Sequence, residues 1–215
     1  MTDLFPDAVP LSAEVPLKGA PLAERLRPCT LGEIVGQDHL TAPEGAIGRM
    51  VAAGKLASII LWGPPGTGKT TMARLLADAV GLRFEAVSAV LSGVADLKKL
   101  FAAAREHALA GQRTLLFVDE IHRFNRSQQD SFLPFVEDGT ITLIGATTEN
   151  PSFELNAALL SRAQVLILHR LDAIALESLL ARAEALEQRP LPLTTDARAA
   201  LIASADGDGR FLLNQ

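Results

Sequence analysis

The chain has 215 residues, 48% of them apolar and 21% charged, and a net charge of −5. That length and apolar content support one large domain, or one domain with part of another, and argue against a disordered chain. The apolar runs are too short to span a membrane, the lone Cys29 leaves no disulfide or zinc framework within the chain, and the acidic balance leaves any nucleic-acid binding to a local basic feature.

Residues 1–22 contain Pro6, Pro10, Pro16 and Pro21 without apolar periodicity, and read as an extended, flexible leader. Asp3-Leu4-Phe5 within it is either a short docking peptide or an incidental apolar pair. No basic region accompanies Asp3 and Asp7, so no secretory signal is visible and a cytoplasmic, reducing location is expected. The segment Leu26 to Gln37, with Pro28 and two glycines, suits a wall for a flat base as well as it suits ordinary packing. Residues 44–54 then read as a short helix with Ile47 and Val51 on one face, ended by Gly54.

The next stretch carries the strongest chemical signal. Residues 57–62 read as a buried strand and 70–80 as a helix ended by Gly81. Between them, Gly63-Pro64-Pro65-Gly66-Thr67-Gly68-Lys69-Thr70 satisfies G-x-x-x-x-G-K-[S/T], the loop whose backbone amides cradle phosphates while its lysine neutralises them. Strand, glycine loop and helix is the setting that motif requires, and Thr71 completes its helical end.

Residues 82–87 alternate as a second strand, and Ser92 is placed to cap a helix over 94–110. Leu97, Leu100, Phe101, Ala104 and Ala108 form its apolar stripe, with Lys98, Lys99 and Arg105 on a solvated face. A third strand, residues 114–118, delivers Asp119 and Glu120 to the carboxyl edge of a sheet. Following a phosphate loop, Asp119 suits Mg²⁺ and Glu120 suits activation of a water. One helix is expected to run through about Val136, and a strand over 141–146 leads to Thr147, Thr148 and Asn150. A hydroxyl there could orient the attacking water or simply cap the loop. Residues 156–162 read as a short helix ending in Arg162, followed by a strand over 165–168. Residues 172–187 and 195–204 are Ala/Leu-rich helices, and a further helix begins at Asp208.

Together these motifs resemble an AAA+ ATPase. The blocks Asp119 to Asp130 (DEIHRFNRSQQD) and Asp138 to Asn156 are similar to those of the RarA (MgsA) family of replication-associated recombination proteins. The resemblance covers residues 22–215 and implies an α/β P-loop NTPase fold, with a five-stranded parallel sheet sandwiched by helices over 23–170. An incomplete helical lid follows over 171–215. It implies ATP and Mg²⁺ as cofactors and a DNA-dependent ATPase, oligomeric in full length, that acts on single-stranded, gapped or forked DNA in replication, repair and recombination. Single-strand-binding protein would be a partner, and the location cytoplasmic and nucleoid-associated, with no membrane. Position by position, Lys69 would hold the β- and γ-phosphates, Thr70 and Asp119 the Mg²⁺, and Glu120 the water. Thr148 aligns with the first sensor, Arg210 with the second, and Arg162 with the arginine finger. Ile34 and Val35 would lie against the base, which settles the reading of that segment.

Two features depart from the family. The sequence stops inside the lid, so this chain by itself is expected to bind nucleotide and turn it over weakly, and Phe211-Leu212 stands where relatives have Arg and Ala. The alternatives are a clamp-loader or branch-migration subunit, against which the blocks 124–130 and 149–156 argue, and an ATP-dependent protein-binding switch without DNA contact.

Overall fold

The structure, a computed structural model, describes residues 19–215, so the Asp3-Leu4-Phe5 segment lies outside the described residues. Five strands, β1 (Ile59–Trp62), β2 (Arg83–Ser88), β3 (Thr114–Asp119), β4 (Ile141–Thr147) and β5 (Gln164–Ile167), pair in parallel in the order β2-β3-β4-β1-β5. The order places β1 between β4 and β5, with Trp62 beside Thr147 and Ile167, and places Asp119 beside Ser88. The carboxyl ends of β1, β3 and β4 therefore open on one edge, where ligands of open α/β sheets bind.

The helices are α1 (Leu22–Arg25), α2 (Asp38–Thr41), α3 (Ala46–Ala52), α4 (Lys69–Ala79), α5 (Val94–Leu109), α6 (Arg126–Asp130), α7 (Leu133–Glu137), α8 (Pro151–Glu154), α9 (Ala157–Leu160), α10 (Ala173–Glu187), α11 (Thr195–Ala205) and α12 (Gly209–Asn214). Successive strand residues face opposite layers. Ile59, Leu61, Leu115 and Phe117 pack with Met72 and Leu76 of α4 and Ile47 of α3. Ile60, Leu116 and Val118 pack with Leu97 and Phe101 of α5 and with Phe132. Both faces are thus covered, as parallel strands require. A third cluster holds α10, α11 and α12 together through Leu176, Leu180, Ala205 and Leu212, and Val35 packs against it.

Two local expectations are corrected. The helix expected through Val136 is two helices, α6 and α7, with Ser131 and Phe132 between them. Pro134 has no amide to donate and its ring crowds the carbonyl four residues back, so it opens α7 rather than continuing α6. Ser92 does not cap α5; Gly93 occupies that position, and its backbone N–H donates to the Asp96 carboxylate at 2.9 Å. The later caps follow side-chain chemistry: Asn156, Asp172, Thr194 and Asp208 each accept an amide of the first turn of α9, α10, α11 and α12.

Candidate nucleotide site

The phosphate loop runs from the end of β1 into α4. Gly66 and Gly68 have φ of 67° and 96°, the left-handed region that side chains avoid. The Lys69 ammonium is almost buried and donates to the backbone carbonyls of Gly63 and Pro64, both at 2.7 Å. Burial holds its pKa below the usual lysine value; the nearby carboxylates of Glu120, Asp119 and Asp208 oppose that shift and Arg210 adds to it. Thr67 Oγ1 donates to the Pro64 carbonyl at 2.9 Å, which closes the loop on itself. The Gly63 amide donates to the Thr147 carbonyl at 3.1 Å and so fixes the loop's start to the end of β4.

A cavity of about 220 Å³ lies over this loop. Pro65, Gly66, Thr67, Gly68, Lys69, Thr70 and Thr71 form its floor, while Gly63 and Pro64 stand behind it and hold Lys69. Asp119 and Glu120 at the end of β3 and Thr148 just past β4 form one wall. Glu120 sits at φ 52°, ψ 45°, a left-handed backbone that costs a side-chain-bearing residue roughly 1–3 kcal/mol and clusters at functional sites, although Gln188 and Asp206 adopt it here as helix C-caps. Of the two adjacent threonines, Thr147 is fully buried and its hydroxyl engages His122 and Glu149, whereas Thr148 faces the cavity.

The opposite wall is apolar. Ile34 and Val35 line it, Ile34 packing into the sheet-face core and Val35 into the lid core, beside Leu26, Pro28, Leu171 and Leu179. Arg27 reaches the lip, bonded to both Glu24 oxygens and at 3.3 Å to Thr71 Oγ1. That guanidinium holds the Glu24 carboxyl below its ordinary value. Glu24, Arg27 and Leu179 were not singled out from sequence. The segment's proline and glycines were the available signal for Arg27, Glu24 lies just ahead of that segment with no such signal, and Leu179 reads as ordinary helix core.

The two candidate arginines are placed differently. Arg210, on α12, lines the cavity. Its helix is docked on the phosphate loop, with the Gly209 amide donating to the Gly66 carbonyl at 3.3 Å. Arg162 does not line the cavity: it is exposed after α9, paired with Glu137 at 2.5 Å, with Nη1 donating to the Ala158 carbonyl at 2.8 Å.

Among the described residues no group of three or more His, Cys, Asp or Glu could hold a metal on its own. Thr70 and Asp119 in the cavity are hard oxygen donors, and that pair fits Mg²⁺, which binds through one or two protein oxygens together with substrate phosphates.

Sheet order, glycine loop, acidic strand end and helical lid define a P-loop ATPase. The family model "ATPase family associated with various cellular activities (AAA)" matches residues 59–171, just over half of the chain, and the chain belongs to that family. Among individual proteins it is similar to the replication-associated recombination protein A of Coxiella burnetii, 52% identical over 199 residues, covering 90% of this chain and 45% of that protein. The protein of the same name from Escherichia coli K12 is 50% identical, over 90% of this chain and 44% of its own length. The chain thus spans less than half the length of these relatives. The structure resembles the Thermotoga maritima RuvB Holliday junction branch migration motor, with a TM-score of 0.71 at 28% identity over 87% of this chain and 63% of that one.

Proposed function

We propose that this chain is the ATP-binding and ATP-hydrolysing part of a DNA-directed ATPase that serves replication-fork maintenance, repair and recombination. The observation that carries the ATPase reading is the gathering of Lys69, Thr70, Asp119, Glu120, Thr148 and Arg210 around one cavity over the phosphate loop. Phosphoryl transfer needs little covalent help from a protein, mostly positioning and charge stabilisation, and these residues supply both. Lys69 would bind the β- and γ-phosphate oxygens in place of its loop carbonyls, and Thr70 and Asp119 would hold a Mg²⁺, which would supply neutralisation of phosphate charge. Glu120 orients and polarises the attacking water, Thr148 holds it in line, and Arg210 senses the γ-phosphate from the lid. Ile34 and Val35 lie against the adenine.

Arg162 acts on a neighbouring subunit's nucleotide. Its exposure and its distance from its own cavity suit that role, and a finger supplied across an interface makes hydrolysis depend on assembly. The DNA-directed part of the proposal draws on similarity to replication-associated recombination protein A; single-strand-binding protein as a partner and a homo-oligomer as the working form are what the family resemblance of the blocks 119–130 and 138–156 implies. A second reading, a branch-migration motor, draws on the likeness to RuvB, at lower identity.

The test is steady-state ATP turnover of the full-length protein without DNA and with single-stranded, gapped, forked or four-way-junction DNA. Stimulation by single-stranded, gapped or forked DNA is expected; stimulation by the junction alone favours the second reading. Turnover indifferent to every DNA, together with a salt slope of binding near zero, would instead indicate a protein-binding switch.

A further inference from the structure

We propose that His122 is a positioning residue for Glu120: its ring, hydrogen-bonded to Thr147, the last residue of β4, stands in polar contact with the carboxylate and so couples the water-activating group to the strand that touches the phosphate loop. This rests on the reading of Glu120 as that group.

The geometry centres on a single atom. His122 Nδ1 lies 2.9 Å from Thr147 Oγ1 and 3.3 Å from Glu120 Oε2, and the His122 side chain is only 7% exposed. A ring nitrogen carries at most one proton, so it serves the two oxygens in one of two ways. With the proton on Nδ1, the N–H is aimed at Thr147 Oγ1 and its positive end lies 3.3 Å from Glu120 Oε2, a polar contact and not a second hydrogen bond, and the Thr147 hydroxyl donates to the Glu149 carbonyl at 3.3 Å. With Nδ1 bare, Thr147 donates to Nδ1 and the nitrogen lone pair faces the Glu120 carboxylate, which is repelled. A carboxylate at this distance therefore selects the first arrangement, the tautomer being assigned from the hydrogen-bond network.

Thr147 does not need the histidine. Its hydroxyl accepts from the Glu149 amide at 3.0 Å and has the Glu149 carbonyl as an alternative acceptor, so it remains satisfied with any side chain at residue 122. What the imidazole adds is the hold on Glu120, whose left-handed backbone otherwise leaves its side chain one-third exposed with no other side-chain partner among the described residues. The other end of the link matters as much. The Thr147 carbonyl accepts the Gly63 amide at 3.1 Å, so Gly63, Thr147, His122 and Glu120 form a continuous chain of contacts from the start of the phosphate loop to the carboxylate. A carboxylate held to the loop in this way stays in register with the phosphates that the loop binds, which is what near-attack geometry requires.

The test is a three-variant series in the full-length protein, read as kcat, KM and ATP affinity. His122→Ala should lower kcat about 10- to 100-fold, the cost of removing a supporting partner from a functional group, with ATP affinity within about twofold of the parent. His122→Asn places an amide nitrogen near the position of Nδ1 and should restore most of kcat. His122→Gln places its amide at the reach of Nε2 and should not. A kcat for His122→Ala within twofold of the parent, equal behaviour of the Asn and Gln variants, or a loss expressed in ATP affinity instead of kcat overturns the proposal. Should the alanine variant not fold, the Asn and Gln pair decides alone. Glu120→Gln run in parallel separates the two levels. Retained turnover there removes the basis of the reading of Glu120, whereas an inactive Glu120→Gln beside a fully active His122→Ala removes only the tether.

Discussion

At residue 66 both backbone and space demand glycine: its φ of 67° is left-handed, and a Cβ there would overlap the Asp208 carboxylate of the lid. Asp208 is also the cap of α12, accepting the Phe211 amide at 2.8 Å, so pushing it aside loosens the helix that carries Arg210. Gly66→Ala is expected to lower stability by about 1–2 kcal/mol from the left-handed backbone alone. It should also weaken ATP binding, because lid and loop share this contact. Thermal melting and titration with a fluorescent nucleotide read the two effects; an unchanged nucleotide affinity would detach the lid from the site. The glycine itself is legible from its motif, but its lid partner is not, since nothing in a linear sequence places Asp208 against a loop so far upstream. The same limit separates Thr147 from Thr148. Both follow an apolar run, and only the pleat of β4 and the point where it ends decide which hydroxyl faces the cavity. His122 stood in a recognised block without a role, because its contact with Thr147 depends on the left-handed turn at Glu120 and on β3 lying beside β4.

Among the elements, the lid helices are joined to one another and to the nucleotide wall by charge. Arg198 of α11 donates to Glu177 at 2.8 Å and to Glu184 at 2.7 Å, both on α10. Arg182 of α10 donates to the Glu33 carbonyl at 2.6 Å, beside Ile34. The Arg198 bond, followed by the Leu191 amide, holds the Glu184 carboxyl below its ordinary value. A carboxylate whose pKa is depressed on folding adds stability that is present above its unfolded pKa and is lost as pH falls through the folded one. Arg198→Ala should therefore lower the melting temperature near pH 7, and the difference from the parent should shrink below about pH 4 as Glu184 protonates in both. A difference that persists unchanged in acid would mean that Arg198 acts through packing of its stem. These helices were readable from their caps and apolar spacing. The break between α6 and α7 was not, because the Gln128 to Phe135 stretch keeps helical spacing across the proline that interrupts it.

For the molecule as a whole, the strand succession was legible but its spatial order was not, because pairing in a parallel sheet is set by crossovers that leave no local signal. The order β2-β3-β4-β1-β5 brings the loop after β1 next to β4 and within reach of the acidic end of β3. Arg162 stays outside that gathering, held by Glu137 on an exposed surface. The finger role proposed for it predicts that Arg162→Ala keeps ATP binding but loses turnover by roughly 10³-fold or more. Mixing Arg162→Ala with Glu120→Gln subunits should recover part of the activity, because some interfaces then pair an intact cavity with an intact arginine. Absence of recovery, with each variant assembling normally, would place Arg162 outside the reaction.

If the cavity over the phosphate loop hydrolyses ATP through Glu120, Glu120→Gln in the full-length protein must disable turnover without disturbing binding. The isosteric amide keeps the size of the side chain and removes its charge. ATP affinity should stay within about twofold of the parent and kcat should fall by about 10²- to 10⁴-fold, the range expected for loss of a general base. Turnover close to that of the parent, with ATP bound normally, would contradict it.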